Sequence, residues 1–199
     1  MKPKDIGLAY DQITHLWEDN DFDLSNGIVP HQIALQFSRN RGNALDIGCG
    51  CTGRFEDLLI EEGFKVEGVD ISSEMIKIIR QKHPDLTFYH QDICEWALPK
   101  KYDFITAWDS IWHIPLVQQE KVLTKIISSL NRSGIFIFSF GGTEEQGQHN
   151  DDFMGPEVHY SSLGTNGIVS LLIKLGCVIR HVEFDQYPEL HTYAIVEKA

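Results

Sequence analysis

Ala44-Leu45-Asp46-Ile47-Gly48-Cys49-Gly50-Cys51-Thr52-Gly53 decides the reading of this chain. An apolar run carrying an acid ends in a glycine-rich turn. Residues 53–62 then follow a helical pattern, and a second run, Phe64-Lys65-Val66-Glu67-Gly68-Val69, ends at Asp70. The order is strand, glycine turn, helix, strand, acid. Glycine tolerates φ > 0 and has no Cβ to hold a ligand off the backbone. The first N–H groups of the next helix are left free to face that ligand.

Asp70 lies about 20 residues beyond the glycines, the spacing at which a carboxylate meets two ribose hydroxyls. These parts together predict an adenosine-containing cofactor. Gly48-x-Gly50-x-x-Gly53 taken alone fits the dinucleotide fingerprint. Asp46 opposes that reading, because an acid two residues before the first glycine repels a pyrophosphate. It suits the ammonium and sulfonium of S-adenosylmethionine.

Leu45-Asp46-Ile47-Gly48-Cys49-Gly50 resembles the first motif of the class I S-adenosylmethionine-dependent methyltransferases. Val69-Asp70-Ile71-Ser72 resembles their second-strand acidic motif, and Gln91-Asp92-Ile93 the segment that receives adenine. Tyr102-Asp103-Phe104-Ile105 resembles the fourth strand, and Leu130 to Ile137 the helix-end turn into the fifth. The resemblance covers about residues 42 to 199, in order. It implies S-adenosyl-L-methionine as cofactor. The binding residues it implies are Asp46, Gly48, Cys49, Gly50, Asp70, Ile71, Met75, Asp92, Ile93, Trp108, Asp109 and Ser110. The family usually has Gly-x-Gly-x-Gly; here Cys51 adds one residue before Thr52-Gly53.

The expected fold is α/β: a Rossmann-like three-layer sandwich whose seven-stranded, mostly parallel sheet ends in an antiparallel C-terminal hairpin strand. Strands are expected near 43–47, 64–69, 86–89, 102–107, 134–140, 177–185 and 190–197. Helices are expected near 53–62, 72–83, 115–130 and 165–175. Apolar runs alternating with helical segments imply a parallel sheet covered on both faces. Only the short turn Tyr187-Pro188-Glu189 separates the last two strands, which forces them antiparallel. The whole of 1–199 is expected to be one domain, with 1–41 a helical cap and 42–199 the core. Within the cap, residues 4–19 read as one helix, 20–27 as a polar turn, and Pro30 to Ser38 as a second helix. Gly141 to Met154 reads as a long polar loop, of the kind that often serves as a lid.

The formal net charge of −12 excludes a phosphate-tracking surface, and no stripe of Lys and Arg exists. Nucleic acid and anionic membrane are therefore not expected partners. Met1-Lys2-Pro3-Lys4-Asp5 does not resemble a signal peptide, so a cytoplasmic location is expected. Cys49-x-Cys51 is too tight for usual zinc spacing and no second pair follows, so no metal site is expected.

The segment Trp108-Asp109-Ser110-Ile111-Trp112-His113-Ile114 follows the fourth strand, where the family meets cofactor and acceptor. Ile71 and Ile93 are candidates to sandwich adenine, and Asp109 or Ser110 to touch the methionine amine. His113 is the candidate general base, since imidazole titrates near neutrality. His159, Tyr160 and His191 read as structural or surface residues, and Arg54 as solvated. Tyr10 and Trp17 are candidates to close over the cofactor. The segment lacks the Asn/Asp-Pro-Pro-aromatic motif of nucleic-acid amino methyltransferases, which favours a small-molecule acceptor. The alternatives are a nicotinamide-dependent oxidoreductase and a non-catalytic S-adenosylmethionine binder.

Overall fold

The computed structural model describes residues 1–19 and 22–199. The strands are β1 Asn43–Ile47, β2 Lys65–Asp70, β3 Thr87–His90, β4 Tyr102–Ala107, β5 Leu130–Gly141, β6 Gly147–Asp151, β7 Val158–Ser162, β8 Cys177–Glu183 and β9 His191–Lys198. The helices are α1 Pro3–Asp11, α2 His15–Glu18, α3 Ile28–Phe37, α4 Arg54–Glu61, α5 Ser73–Lys82, α6 Leu116–Ser128 and α7 Thr165–Lys174. Seven strands form one sheet in the order β3-β2-β1-β4-β5-β9-β8. All pairings from β3 across to β5 are parallel; β9 runs antiparallel to both β5 and β8.

Adjacent residues of a strand face opposite sides of the sheet. Leu45, Ile105 and Phe136 therefore pack with Val122 and Ile126 of α6 and Leu172 of α7. Their neighbours Ala44, Phe104 and Ile135 pack with Leu35 of α3 and Phe55 and Leu59 of α4. Burying each large apolar side chain contributes about 1.5–3 kcal/mol relative to exposure. That alternation of strand faces produces the three layers.

The structure departs from the sequence reading in three places. The single helix expected over 4–19 is broken after Asp11, and only His15–Glu18 resumes it. Of the turn expected over 20–27, residues 20 and 21 lie outside the described residues. β5 begins at Leu130, which pairs with Tyr102; a register shift and Ser133 at φ 60° absorb the expected turn inside the strand. The stretch read as a loop from Gly141 holds β6, which pairs antiparallel with β7 as a separate hairpin. Every residue of β6 is exposed, so no apolar alternation marked it. Val158 of this hairpin packs on Ile6 and Ala9 of α1.

Candidate functional site

The parallel strands bring the carboxyl ends of β1, β2, β3 and β4 to one edge, where ligands of such sheets bind. A cavity of about 350 Å³ opens there. At its β1 side, the N–H groups of Gly48 and Cys49 both donate to Val69 O, at 2.8 and 3.2 Å. Gly48 adopts φ +74° under Ser110, whose Cβ lies 2.4 Å from where a Gly48 Cβ would be. Gly50 adopts φ +58°, and nothing lies within 4 Å of its own missing Cβ. The loop thus presents bare backbone to open space at Gly50.

Asp70 is locked to that loop. Its Oδ2 accepts from Gly50 N at 2.9 Å and its Oδ1 from Ser72 N at 2.8 Å. Burial pushes its carboxyl up, and the backbone N–H donors pull against that shift. Gly48, Cys49, Gly50, Asp70, Ile71, Met75, Asp92 and Ile93 all line the cavity. Met75 follows the Ser72 cap of α5. The cap is itself reached from α1, because Asp11 accepts from Ser72 Oγ, Ser73 Oγ and Glu74 N. Asp92 is held by Cys94 N at 2.8 Å.

Asp46 is the one expected cofactor residue that does not line the cavity. It is 1% exposed, behind the loop, and its Oδ2 lacks a hydrogen bond among the described residues. Burial pushes it up to about 7; the Arg54 charge opposes this and the Asp70 charge adds to it. Arg54 is not solvated as expected. It lines the cavity, donates to Asn26 O and Thr52 Oγ1, and lies 4.2 Å over the Phe55 ring.

Trp108, Asp109 and Ser110 also line the cavity. Ser110 Oγ donates to Ile47 O at 2.8 Å. Asp109 has φ 52°, an uncommon conformation for a residue with a side chain. Its N–H donates to Ser139 Oγ, and its Oδ1 accepts from Ser139 Oγ and from His191 Nε2, the latter at 3.0 Å. His191 donates its other nitrogen to Asp185 Oδ1 at 2.5 Å. Those two hydrogen bonds raise the His191 pKa against the effect of burial. His191 lines the cavity while its two hydrogen bonds tie β9 to Asp109 and Asp185, and Tyr160 lines the cavity too. A strand register that brings β9 beside β5 carries His191 to Asp109; residue spacing alone holds no such signal.

His113 also lines the cavity, on a 3-10 turn over Ile111–His113. Its Nδ1 donates to His159 O at 2.8 Å, so Nε2 is the acceptor nitrogen. Nε2 takes the Tyr10 hydroxyl at 2.7 Å and Trp112 Nε1–H at 3.0 Å. Burial lowers the ring to about 4. Tyr10 and Trp17 line the same mouth from the N-terminal segment. One buried residue escaped the sequence reading entirely: His31 joins Gly27 O and Thr106 Oγ1, each at 2.7 Å, and stacks on Phe55.

A family model described as a methyltransferase domain matches residues 28–180. An uncharacterized methyltransferase of Alkaliphilus oremlandii is 25% identical over 145 residues, which is 68% of this chain and 67% of that protein. The dTDP-3-amino-3,6-dideoxy-alpha-D-glucopyranose N,N-dimethyltransferase of Streptomyces fradiae is 31% identical over 83 residues, 41% of this chain and 32% of that protein. Matches thus span about a third to two thirds of these curated relatives' lengths. Among solved structures, magnesium protoporphyrin IX methyltransferase from Synechocystis PCC 6803 with bound SAM superposes at TM-score 0.71. It is 21% identical, over 100% of this chain and 98% of that one. The PH0226 protein of Pyrococcus horikoshii OT3 gives TM-score 0.76 at 22% identity, covering 96% and 98%.

Proposed function

Because the chain belongs to the methyltransferase-domain family, we propose that it moves the methyl group of S-adenosyl-L-methionine to a small-molecule acceptor by in-line displacement. The observation that carries this reading is the Gly50–Asp70 contact at the cavity mouth. Bare glycine backbone faces open space there, and a carboxylate is fixed beside it at the end of β2. An adenosine ribose fits that pair, with Ile71, Ile93 and Met75 flanking adenine and Asp92 near its exocyclic amine. No observation favours the nicotinamide alternative.

When bound, the cofactor supplies an activated methyl on a good leaving group, so the protein's task is placement. Ser110 and the glycine loop set one wall, and Asp109, Trp112 and Tyr160 the other. His113 serves as a positioning residue: its acceptor nitrogen is taken by Tyr10 and Trp112, which fastens α1 over the mouth. The whole of 1–199 is read as one domain capped by its first 41 residues. The names of relatives that act on small molecules support a small acceptor. No helix among the described residues is long and apolar enough to cross a membrane, which agrees with a cytoplasmic reading.

Calorimetric titration with S-adenosylmethionine, S-adenosylhomocysteine and NAD tests the reading. Micromolar binding of the first two supports it; binding of NAD alone would sink it.

A further inference from the structure

The cavity has two chemically different halves. The glycine loop, Asp70, Ile71, Asp92 and Ile93 belong to the β1–β2–β3 side of the sheet, where the cofactor is assigned. Asp109 is turned toward the other side, because its partners Ser139 and His191 stand on β5 and β9. Both of those partners bind Oδ1. Among the described residues no hydrogen bond reaches Oδ2, and the side chain is 35% exposed. Asp109, with one carboxylate oxygen that no described residue engages, thus lines the cavity, held in place by a strained backbone, a serine and a histidine.

Aromatic rings line the same cavity. Trp112 lies 5.6 Å from the His191 ring and 6.5 Å from Tyr160; His113 lies 4.9 Å from Tyr160 and 5.3 Å from Tyr10. Ring faces beside a carboxylate favour a positive nitrogen over a neutral or negative group. Among the described lining residues, Arg54 is the only Arg or Lys, and it is tied to Asn26 and Thr52 on the α4 side. An anionic acceptor finds no free cation here. Neither His113 nor His191 offers a free nitrogen as base for a hydroxyl acceptor.

We propose that the methyl acceptor is an amine, whose nitrogen is held by Asp109 Oδ2 against the aromatic wall of Trp112, Tyr160 and Tyr10. This rests on the methyl-transfer function above and names its substrate class. The bound ammonium first releases its proton to solvent; the lone pair of the resulting neutral amine then forms the N–CH3 bond while the S–CH3 electron pair stays on sulfur. Positive charge moves from sulfur to nitrogen, and no proton is transferred in that step. The ammonium product later releases its proton to solvent. Asp109 stabilises the charge where it arrives, which is the transition-state interaction that accelerates such a step.

Benzylamine, benzyl alcohol and benzoate have one shape and three charges. Each is titrated calorimetrically into protein saturated with S-adenosylhomocysteine, and each is offered as acceptor with S-adenosylmethionine carrying a labelled methyl group. Benzylamine is expected to bind about tenfold or more tightly than the other two, and to take the label. In Asp109→Asn, kept saturated with S-adenosylhomocysteine, that preference disappears. Asparagine accepts the left-handed backbone at this position, so the fold survives the change. A preference for the alcohol or the carboxylate, binding of none of the three, or an unchanged preference in the variant overturns the proposal. The ranking in the wild-type protein tests it even without the variant. Failure of S-adenosylhomocysteine to bind the wild type is a different result and removes the methyl-transfer reading with it.

Discussion

The Gly50 N–H donates to Asp70 Oδ2 at 2.9 Å, joining the glycine loop of β1 to the acid that ends β2. The acid is therefore fixed in place at the cavity wall. A carboxylate–hydroxyl hydrogen bond contributes about 1.5–3 kcal/mol. Asp70→Ala should weaken S-adenosylmethionine binding about 10- to 100-fold. It should also lower stability by about 1–3 kcal/mol, since the Gly50 and Ser72 N–H groups lose their acceptor. Titration calorimetry and urea unfolding measure the two effects separately. Unchanged affinity in a folded variant would remove Asp70 from the ribose site.

Gly48 and Gly50 should respond differently to alanine. At Gly48 the added Cβ meets Ser110 Cβ at 2.4 Å on a backbone at φ +74°, so Gly48→Ala should destabilise the protein by about 1–3 kcal/mol. At Gly50 the added methyl meets no protein atom, and the cost is the left-handed backbone alone, about 1–2 kcal/mol. The methyl enters the space assigned to the cofactor, so Gly50→Ala should lose binding out of proportion to its stability. Equal loss of affinity in both variants would contradict this division.

The strand-end half of the site was legible in the sequence, because its parts are consecutive. Gly48, Gly50, Asp70, Ile71, Asp92 and Ile93 each stand one turn beyond an apolar run, and a parallel sheet must bring such positions to one edge. The other half was not. His191 reaches Asp109 only because β9 inserts beside β5, and Tyr160 lines the cavity because an all-exposed strand, β6, pairs with β7. Neither contact has a local sequence period to announce it. Asp46 stands in the same motif, yet it is buried and does not line the cavity. The break after Asp11 was hidden as well, because helical periodicity continues across it while Asp11, the last residue of α1, is bonded to Ser72 and Glu74 at the start of α5.

Tyr10 and His113 should act as a latch. The hydroxyl hydrogen bond at 2.7 Å joins α1 to the 3-10 turn beside β4. Tyr10→Phe removes that bond and leaves Nε2 with Trp112 alone, at a cost of about 0.5–1.5 kcal/mol. The loss should be local: amide hydrogen exchange over Pro3–Asp11 should quicken about 2- to 10-fold, with β1 and β4 unchanged. Turnover should fall through a raised KM more than through kcat, because closure is weakened and no catalytic group is lost. A collapse of kcat with intact protection of α1 would argue instead that Tyr10 takes part in the chemistry.

His31 should give the fold a dependence on acid. It is fully buried between Gly27 O and Thr106 Oγ1, and burial lowers its pKa to about 3 from the ordinary 6.5. The folded protein keeps the ring neutral, while the unfolded chain takes up a proton below pH 6.5. Stability is therefore full above that pH and is lost as the pH falls toward 3. For this one group the loss between pH 7 and pH 5 is about 2 kcal/mol. Asp46 works in the opposite direction: its pKa is raised to about 7, so the folded state gains relative stability as the pH falls from 7 toward 4. His113, lowered to about 4 by burial, adds to the loss. Both of those contributions cancel when wild type is compared with His31→Gln at each pH. The variant should be less stable at pH 7 by about 1–3 kcal/mol, from the lost hydrogen bonds and ring stacking. It should lose about 2 kcal/mol less than the wild type on going to pH 5. Urea midpoints at the two pH values decide this, and parallel losses in both proteins would show that His31 does not titrate with unfolding.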